Sequence, residues 1–267
     1  VRDLGTTPSR PTRIAHGSSF VSDIRWTPTG RWLVYRARPP GSFGVEELYA
    51  VDPTVTSTPT RVTTGGTFNF AISPGGARLV YAPAGELGLR LVELSNPAGS
   101  ARTLAGDFAI GTLRWSPDGR LLAFAGTDVT TQTPGFWVVA VDSTSGEVPI
   151  RLGASAPSTF AWVPASDEVL YRTRDPIARV DDLRAVALAR PAVETVLTSS
   201  VSTACLSPDG RWLAYRLASG PDAGAAFVQR RGSTSAPTRV TDGDPGFGPL
   251  DFTRDSRALA FEDEVSP

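Results

Sequence analysis

Apolar and polar positions alternate most regularly between Arg114 and Phe124, where Arg-Trp-Ser-Pro-Asp-Gly-Arg-Leu-Leu-Ala-Phe sets two strand-like segments about a four-residue corner. Each corner residue has a mechanical reason: Pro117 presets φ, Asp118 can bond its own backbone, and Gly119 takes positive φ. The pattern predicts a β-hairpin. It recurs at Trp26–Tyr35, Ile72–Tyr81 and Leu206–Tyr215, with two worn copies at Trp162–Tyr171 and Phe252–Phe261. The leading apolar residues stand at positions 26, 72, 115, 162, 206 and 252, so 43 to 47 residues separate successive copies. A period of this size marks an array of supersecondary units.

Behind each hairpin the chain offers a second pair of strand-like segments. These are Glu47–Val51 with Thr60–Thr63, Leu89–Leu94 with Ala101–Leu104, Phe136–Val141 with Val148–Leu152, Leu183–Leu188 with Val193–Leu197, and Ala226–Gln229 with Thr238–Thr241. No segment carries helical periodicity and caps for more than two turns. The sixth hairpin is followed only by Glu262–Pro267, and its missing pair stands at the other end. Val1–Leu4 resembles the end of a third strand, and Pro11-Thr-Arg-Ile14 matches Pro59-Thr-Arg-Val62 and Pro237-Thr-Arg-Val240. The expected fold is therefore all-β: one six-bladed β-propeller domain over residues 1–267, with four-stranded antiparallel blades at about 20–63, 67–104, 108–152, 157–197 and 201–241. The closing blade takes its inner strands from 247–263 and its outer strands from 1–15. Closure of this kind hides sheet edges and ties the termini together.

Ser-Pro-Asp-Gly followed by Arg, an apolar pair and Ala-Phe or Ala-Tyr resembles the WD40-like (PD40) repeat of TolB-like propellers, and the resemblance covers essentially the whole chain. The Gly-His and Trp-Asp pairs of true WD40 repeats are absent, as are paired-Gly kelch blades. The resemblance implies a rigid disc that binds protein or peptide on one face, in the periplasm or at the cell surface. Similar propellers also precede the catalytic domain of prolyl-oligopeptidase-like serine peptidases. One fold hosts many functions, so the site decides between these readings.

Composition narrows the choice. A formal net charge of -1 gives no global attraction to nucleic acid or to an anionic membrane. No apolar run approaches the roughly 18 residues that cross a bilayer, so direct membrane insertion is not expected. All 26 basic residues are arginine, which fits the bias of a GC-rich bacterial genome, and the chain has no methionine, which fits a processed or trimmed product. The single cysteine, Cys205, rules out an internal disulfide and a thiolate metal cluster; its apolar surroundings predict a buried, inert thiol. The sole histidine, His16, lies after an outermost strand, and no Gly-x-Ser-x-Gly elbow is present. A Ser-His-Asp hydrolase and a His-rich zinc site are both disfavoured, and no catalytic residue is assigned.

Two residue sets remain as candidates. The first strand of each unit should line a central tunnel through Asp23, Arg25, Asn69, Thr112, Arg114, Thr159, Thr203 and Asp251. Asp23, Asn69 and Asp251 could ligate calcium in that tunnel, which makes a metal-dependent lactonase the enzymatic alternative. The plainer reading pairs Arg25 with Asp251 and assigns no metal and no cofactor. The corner aspartates are read as turn chemistry, and the tryptophans as blade packing.

The second set lies opposite the corners. Variable connections at 36–46, 126–135, 172–182, 216–224 and 242–248 sit there, while the uniform corners make an inert scaffold face. Arg36, Arg38, Arg172, Arg174, Arg179 and Arg216, with Glu262 and Asp263, should ring the variable face and receive an acidic or mixed-charge protein or peptide partner. The expected function is a non-enzymatic interaction scaffold, acting as a monomer or as a subunit of a larger assembly. A propeller domain separated from a larger peptidase-like protein is the further alternative.

Overall fold

The computed structural model describes residues 20–39, 41, 44–55, 58–142, 148–174, 181–191, 193–241 and 249–261. The expected outer strands of the closing blade within 1–15 lie outside the described residues, as do His16, Arg179, Glu262, Asp263 and the connection 242–248. The chain forms two compact units, Val1–Ile150 and Arg151–Pro267.

The first unit carries three antiparallel meanders. Sheet 1 runs β1 (Val21–Trp26), β2 (Leu33–Ala37), β3 (Glu47–Val51) and β4 (Thr60–Arg61). Sheet 2 runs β5 (Thr67–Ile72), β6 (Arg78–Pro83), β7 (Leu89–Glu93) and β8 (Arg102–Ala105). Sheet 3 runs β9 (Phe108–Trp115), β10 (Leu121–Asp128), β11 (Thr133–Ala140) and β12 (Ile150–Gly153), whose last residues open the second unit. Val34, Leu48, Phe70, Leu79 and Tyr81 fill the space between sheets 1 and 2. Leu91, Phe108, Trp115, Phe124 and Trp137 do the same between sheets 2 and 3, where the Phe108 ring meets Phe124 and Trp137 edge-on at centroid distances of 5.3 and 5.0 Å.

In the second unit, sheet 4 runs β13 (Thr159–Trp162), β14 (Glu168–Arg174), β15 (Asp181–Ala187) and β16 (Glu194–Thr198). Sheet 5 runs β17 (Val201–Leu206), β18 (Trp212–Leu217), β19 (Ala226–Arg230) and β20 (Thr238–Arg239). A two-stranded sheet of β21 (Leu250–Phe252) and β22 (Leu259–Phe261) follows. Leu170, Leu183, Leu213 and Tyr215 pack between sheets 4 and 5, and Ala214, Ala226 and Leu250 between sheet 5 and the two-stranded sheet.

The corners repeat bond for bond. The Gly30, Gly76, Gly119 and Gly210 amides close the turn onto the Thr27, Ser73, Ser116 and Ser207 carbonyls at 2.8 to 2.9 Å, all four glycines having φ near +70°. In the fullest copies the Ser116 and Ser207 hydroxyls donate to Asp118 and Asp209 at 2.6 Å, and the amides of Leu121 and Trp212 return to those hydroxyl oxygens at 2.9 Å. The worn sixth copy uses Thr253 and Asp255 in the same way, with Ser256 at φ +60° where glycine stood.

One expected connection is regular structure. Residues 126–135 pair as Gly126↔Gly135, Thr127↔Pro134 and Asp128↔Thr133, so the hairpin turns only at 129–132. The cause is local: the Asp128 carboxylate accepts from the Thr130 amide at 2.9 Å and its hydroxyl at 2.6 Å, and Gln132 takes φ +54°.

Candidate functional site

The first strands of the first unit are bulged, and the bulges bring polar groups together. Between Ser22 and Arg25 the register of β1 slips, with Asp23 at φ +48°; β5 slips between Thr67 and Asn69. The bulge turns Asp23 toward two arginines. Its Oδ1 accepts from Arg25 Nε at 2.7 Å, while its Oδ2 accepts from Arg25 Nη2 at 3.0 Å and Arg36 Nη2 at 3.1 Å. Arg25 also lies over the Phe70 ring at 4.4 Å, Asn69 Nδ2 donates to the Gly111 carbonyl at 3.2 Å, and Trp115 Nε1 donates to the Ala71 carbonyl at 3.0 Å.

Of the expected tunnel set, then, the structure joins Asp23, Arg25 and Asn69 into side-to-side stitches between sheets. Arg25 pairs with Asp23, two residues away on the same strand. A carboxylate committed to two guanidinium groups is a poor cation ligand, so the Asp23 end of the expected calcium set does not fit the metal. Thr112 and Arg114 stand on β9, Thr159 on β13, Thr203 on β17 and Asp251 on β21. Among the described residues no three His, Cys, Asp or Glu side chains gather as a metal site. Burial, reinforced by the charge of Asp251, pushes the Cys205 thiol up to about 12. It is not a thiolate nucleophile at neutral pH.

The arginines expected on the variable face divide by burial. Arg36, Arg172 and Arg216 occupy one repeat position, ten residues after the leading apolar residue, and each turns inward. Arg36 Nη1 reaches the Thr67 carbonyl of the next sheet at 3.5 Å; Arg172 reaches the Ser202 carbonyl of the next sheet and pairs with Asp181 at 3.4 Å. Arg216 is only 1% exposed and donates to the Gly224 carbonyl at 2.7 Å, so it leaves the set of residues that could meet a partner. Its connection folds back over it, Gly224 N bonding the Leu217 carbonyl at 2.9 Å. Arg38 stays partly exposed, 4.0 Å from Glu46 and stacked 4.9 Å from the Phe20 ring, and Arg174 is exposed.

A concave site lies elsewhere, in the second unit and at the corner end of its strands, the end read from sequence as inert. A cavity of about 460 Å³ opens between the outer part of sheet 4, through Val196 and Leu197, and Leu213, Gln229 and Arg230 of sheet 5. A second hollow of about 520 Å³ adjoins it, lined by Arg211, Arg230 and Arg231. Arg231 is fixed: it pairs with Glu168 and donates to the Gly210 carbonyl at 3.2 Å. Arg211 is 75% exposed with Asp209 4.0 Å away, and Arg230 is exposed with no side-chain partner among the described residues. The arrangement sets the exposed guanidinium of Arg230, and that of Arg211 with its long contact to Asp209, beside a short apolar stretch of wall. The signals for it were the Arg230-Arg231 doublet before Gly232, and an outer strand, Val193–Leu197, with apolar residues at adjacent as well as alternate positions.

No protein-family model matches the chain, and no curated protein sequence does. Solved structures do resemble it. The β-propeller domain of the Trilobed protease from Pyrococcus furiosus, described as having an open velcro topology, aligns over 88% of this chain and 75% of its own at 15% identity and a TM-score of 0.58. A putative TolB from Agrobacterium tumefaciens aligns over 91% and 80% at 16% identity and 0.53, and Kuenenia stuttgartiensis hydrazine synthase over 97% and 76% at 15% identity and 0.58. At this identity the likeness shows the fold alone, and that fold is a β-propeller.

Proposed function

We propose that the chain is a non-enzymatic protein- or peptide-binding module of an exported bacterial protein. The finer architecture belongs to the same proposal: a TolB-like, PD40-type ring of six units, the last completed by strands from both ends of the chain and working in the periplasm or at the cell surface. The two-stranded sheet of β21 and β22, which lacks an outer pair among the described residues, supports that reading. Propeller neighbours that include a putative TolB and a propeller domain of a protease fit a binding role.

The observation that carries the proposal is the cavity of the second unit, whose rim presents the exposed arginines Arg211 and Arg230 and whose mixed wall includes Val196, Leu197 and Leu213. The one hydroxyl in its lining, that of Ser233, accepts from the Ser235 amide at 3.1 Å and has no base beside it among the described residues. That is recognition chemistry rather than acyl transfer.

Immobilised protein should retain a discrete partner from a cell-envelope extract of the source cells and not from cytosol. Arg38→Glu and Arg174→Glu, both at accessible positions, should lower retention several-fold; retention unchanged in both would take the contact away from the variable connections. Absence of any retained partner would remove the binding reading.

A further inference from the structure

The outer strands of the four-stranded sheets are unequal. β4 and β20 are two residues long and β8 and β12 are four, whereas β16 has five residues, Glu194–Thr198, and among the described residues is hydrogen-bonded as a strand to β15 on one side only. A long outer strand with a free edge is a template for another strand, and sheets usually guard such edges with outward charge or proline. β16 has neither. Its single charged residue, Glu194, is drawn inward, accepting from Arg184 Nη1 at 2.7 Å and from the Ala154 amide at 2.9 Å. Beside the neutral Thr195 it shows apolar side chains to solvent: Val196 is 48% and Leu197 40% exposed, with Val193 just before the strand at 61%.

The cavity of about 460 Å³ adjoins this strand, and across it stand Arg230, which has no side-chain partner among the described residues, and, in the neighbouring hollow, the exposed Arg211. Edge and cavity are complementary. A strand added beside β16 would satisfy the free backbone groups, and because side chains alternate across a strand, every second one would face the cavity. Apolar side chains suit the Val196–Leu197 wall, and carboxylates suit the exposed Arg230 guanidinium and the loosely held Arg211, which carboxylates can engage through paired hydrogen bonds. We infer that the edge of β16 takes up an extended peptide of alternating acidic and apolar residues, held by strand addition along β16 and by Arg230 and Arg211 across the groove. This rests on the binding-module reading and gives it a location and a ligand class.

The test uses three labelled synthetic heptapeptides: alternating Glu and Val, alternating Lys and Val, and a block peptide with the Glu and Val residues segregated. The full chain should bind the Glu-Val peptide at least tenfold more tightly than either of the others, and the bound peptide should slow backbone amide exchange at residues 194–198. Arg230→Glu, checked to melt as the wild type does, should weaken the Glu-Val peptide at least tenfold and improve the Lys-Val peptide. Leu197→Lys, which places a guarding charge on the edge, should weaken the Glu-Val peptide too. Equal affinity for the alternating and block peptides, or no slowing of exchange at 194–198, overturns the inference. If the peptide fails while the envelope partner is still retained and still responds to Arg38→Glu or Arg174→Glu, the groove is wrong and the binding module stands. If both fail, both readings fall.

Discussion

At the scale of single residues, the corners carry the most legible chemistry. Reading Asp118 and Asp209 as turn formers follows from their place before glycine, and the structure shows the bonds: the Ser116 and Ser207 hydroxyls first, then the amides of Arg120 and Arg211, hold those carboxyl groups below their ordinary value of 3.8. Thr253 does the same for Asp255. A carboxyl depressed in the folded state contributes stability that is complete above its unfolded value and is lost as pH falls through the folded one. Replacing all three by asparagine should therefore lower the melting temperature at pH 7, with the gap to wild type closing as pH drops below 3.8; parallel melting curves would contradict this. The glycines give a second measurement. A Cβ on Gly30 would meet nothing within 4 Å, so Gly30→Ala adds only the strain of positive φ, about 1 kcal/mol. On Gly210 it would also lie 3.0 Å from Pro164 Cδ and 3.3 Å from the Pro164 carbonyl oxygen, so Gly210→Ala should cost about 2 kcal/mol or more by chemical denaturation. Equal losses would show that the contact between successive corners is slack.

At the scale of elements, period-2 patterning located nearly every strand, because burial on a sheet face leaves a direct trace in the order of residues. Glu47–Val51 is β3 residue for residue, and Leu89–Leu94 overshoots β7 by one. What the pattern could not convey is the direction of a long side chain. The pattern places Arg36, Arg172 and Arg216 after a strand as surface residues, yet they lie within β2, β14 and β18 and their guanidinium groups bend to carbonyl oxygens, and aliphatic stems that pack while the head bonds make such burial tolerable. The sites therefore differ in what substitution does. Arg216→Leu removes a buried donor and leaves the Gly224 carbonyl without it, and should cost about 1–3 kcal/mol in denaturant unfolding. Arg174→Leu, at an exposed position, should stay within about 0.5 kcal/mol of wild type. The groove was illegible for a related reason: it depends on which turn ends meet across two sheets, and Glu168 and Arg231 lie 63 residues apart along the chain. Only the doublet and the unguarded Val193–Leu197 strand left a mark in the sequence.

At the scale of the molecule, the question is what fastens one repeat to the next, since neighbouring sheets share side chains but no strand. In the first unit the answer is lateral bonding from first strand to first strand: Trp115 to Ala71, Asn69 to Gly111, and Arg25 over Phe70 with Asp23 as its anchor. Residue type alone does not tell a carboxylate waiting for a cation from one held by arginine, and Asp23 is bonded to Arg25 and Arg36. The two cases part cleanly under titration. If Asp23 holds Arg25 and Arg36, Asp23→Ala strands both guanidinium groups, and since both ion pairs are partly exposed the loss is discounted to about 1–2 kcal/mol, a fall of roughly 2–8 °C in melting temperature for a chain of this size. That fall should be the same in calcium and in chelator, and wild type should melt alike in both. If calcium instead organised this end of the first strands, chelator would lower the wild-type melting temperature and Asp23→Ala would erase the response. A calcium-dependent melt that disappears in Asp23→Ala would therefore overturn the arginine stitch and restore the metal to the first strands, whereas a calcium-independent loss places Asp23 among the bonds that join one sheet to the next.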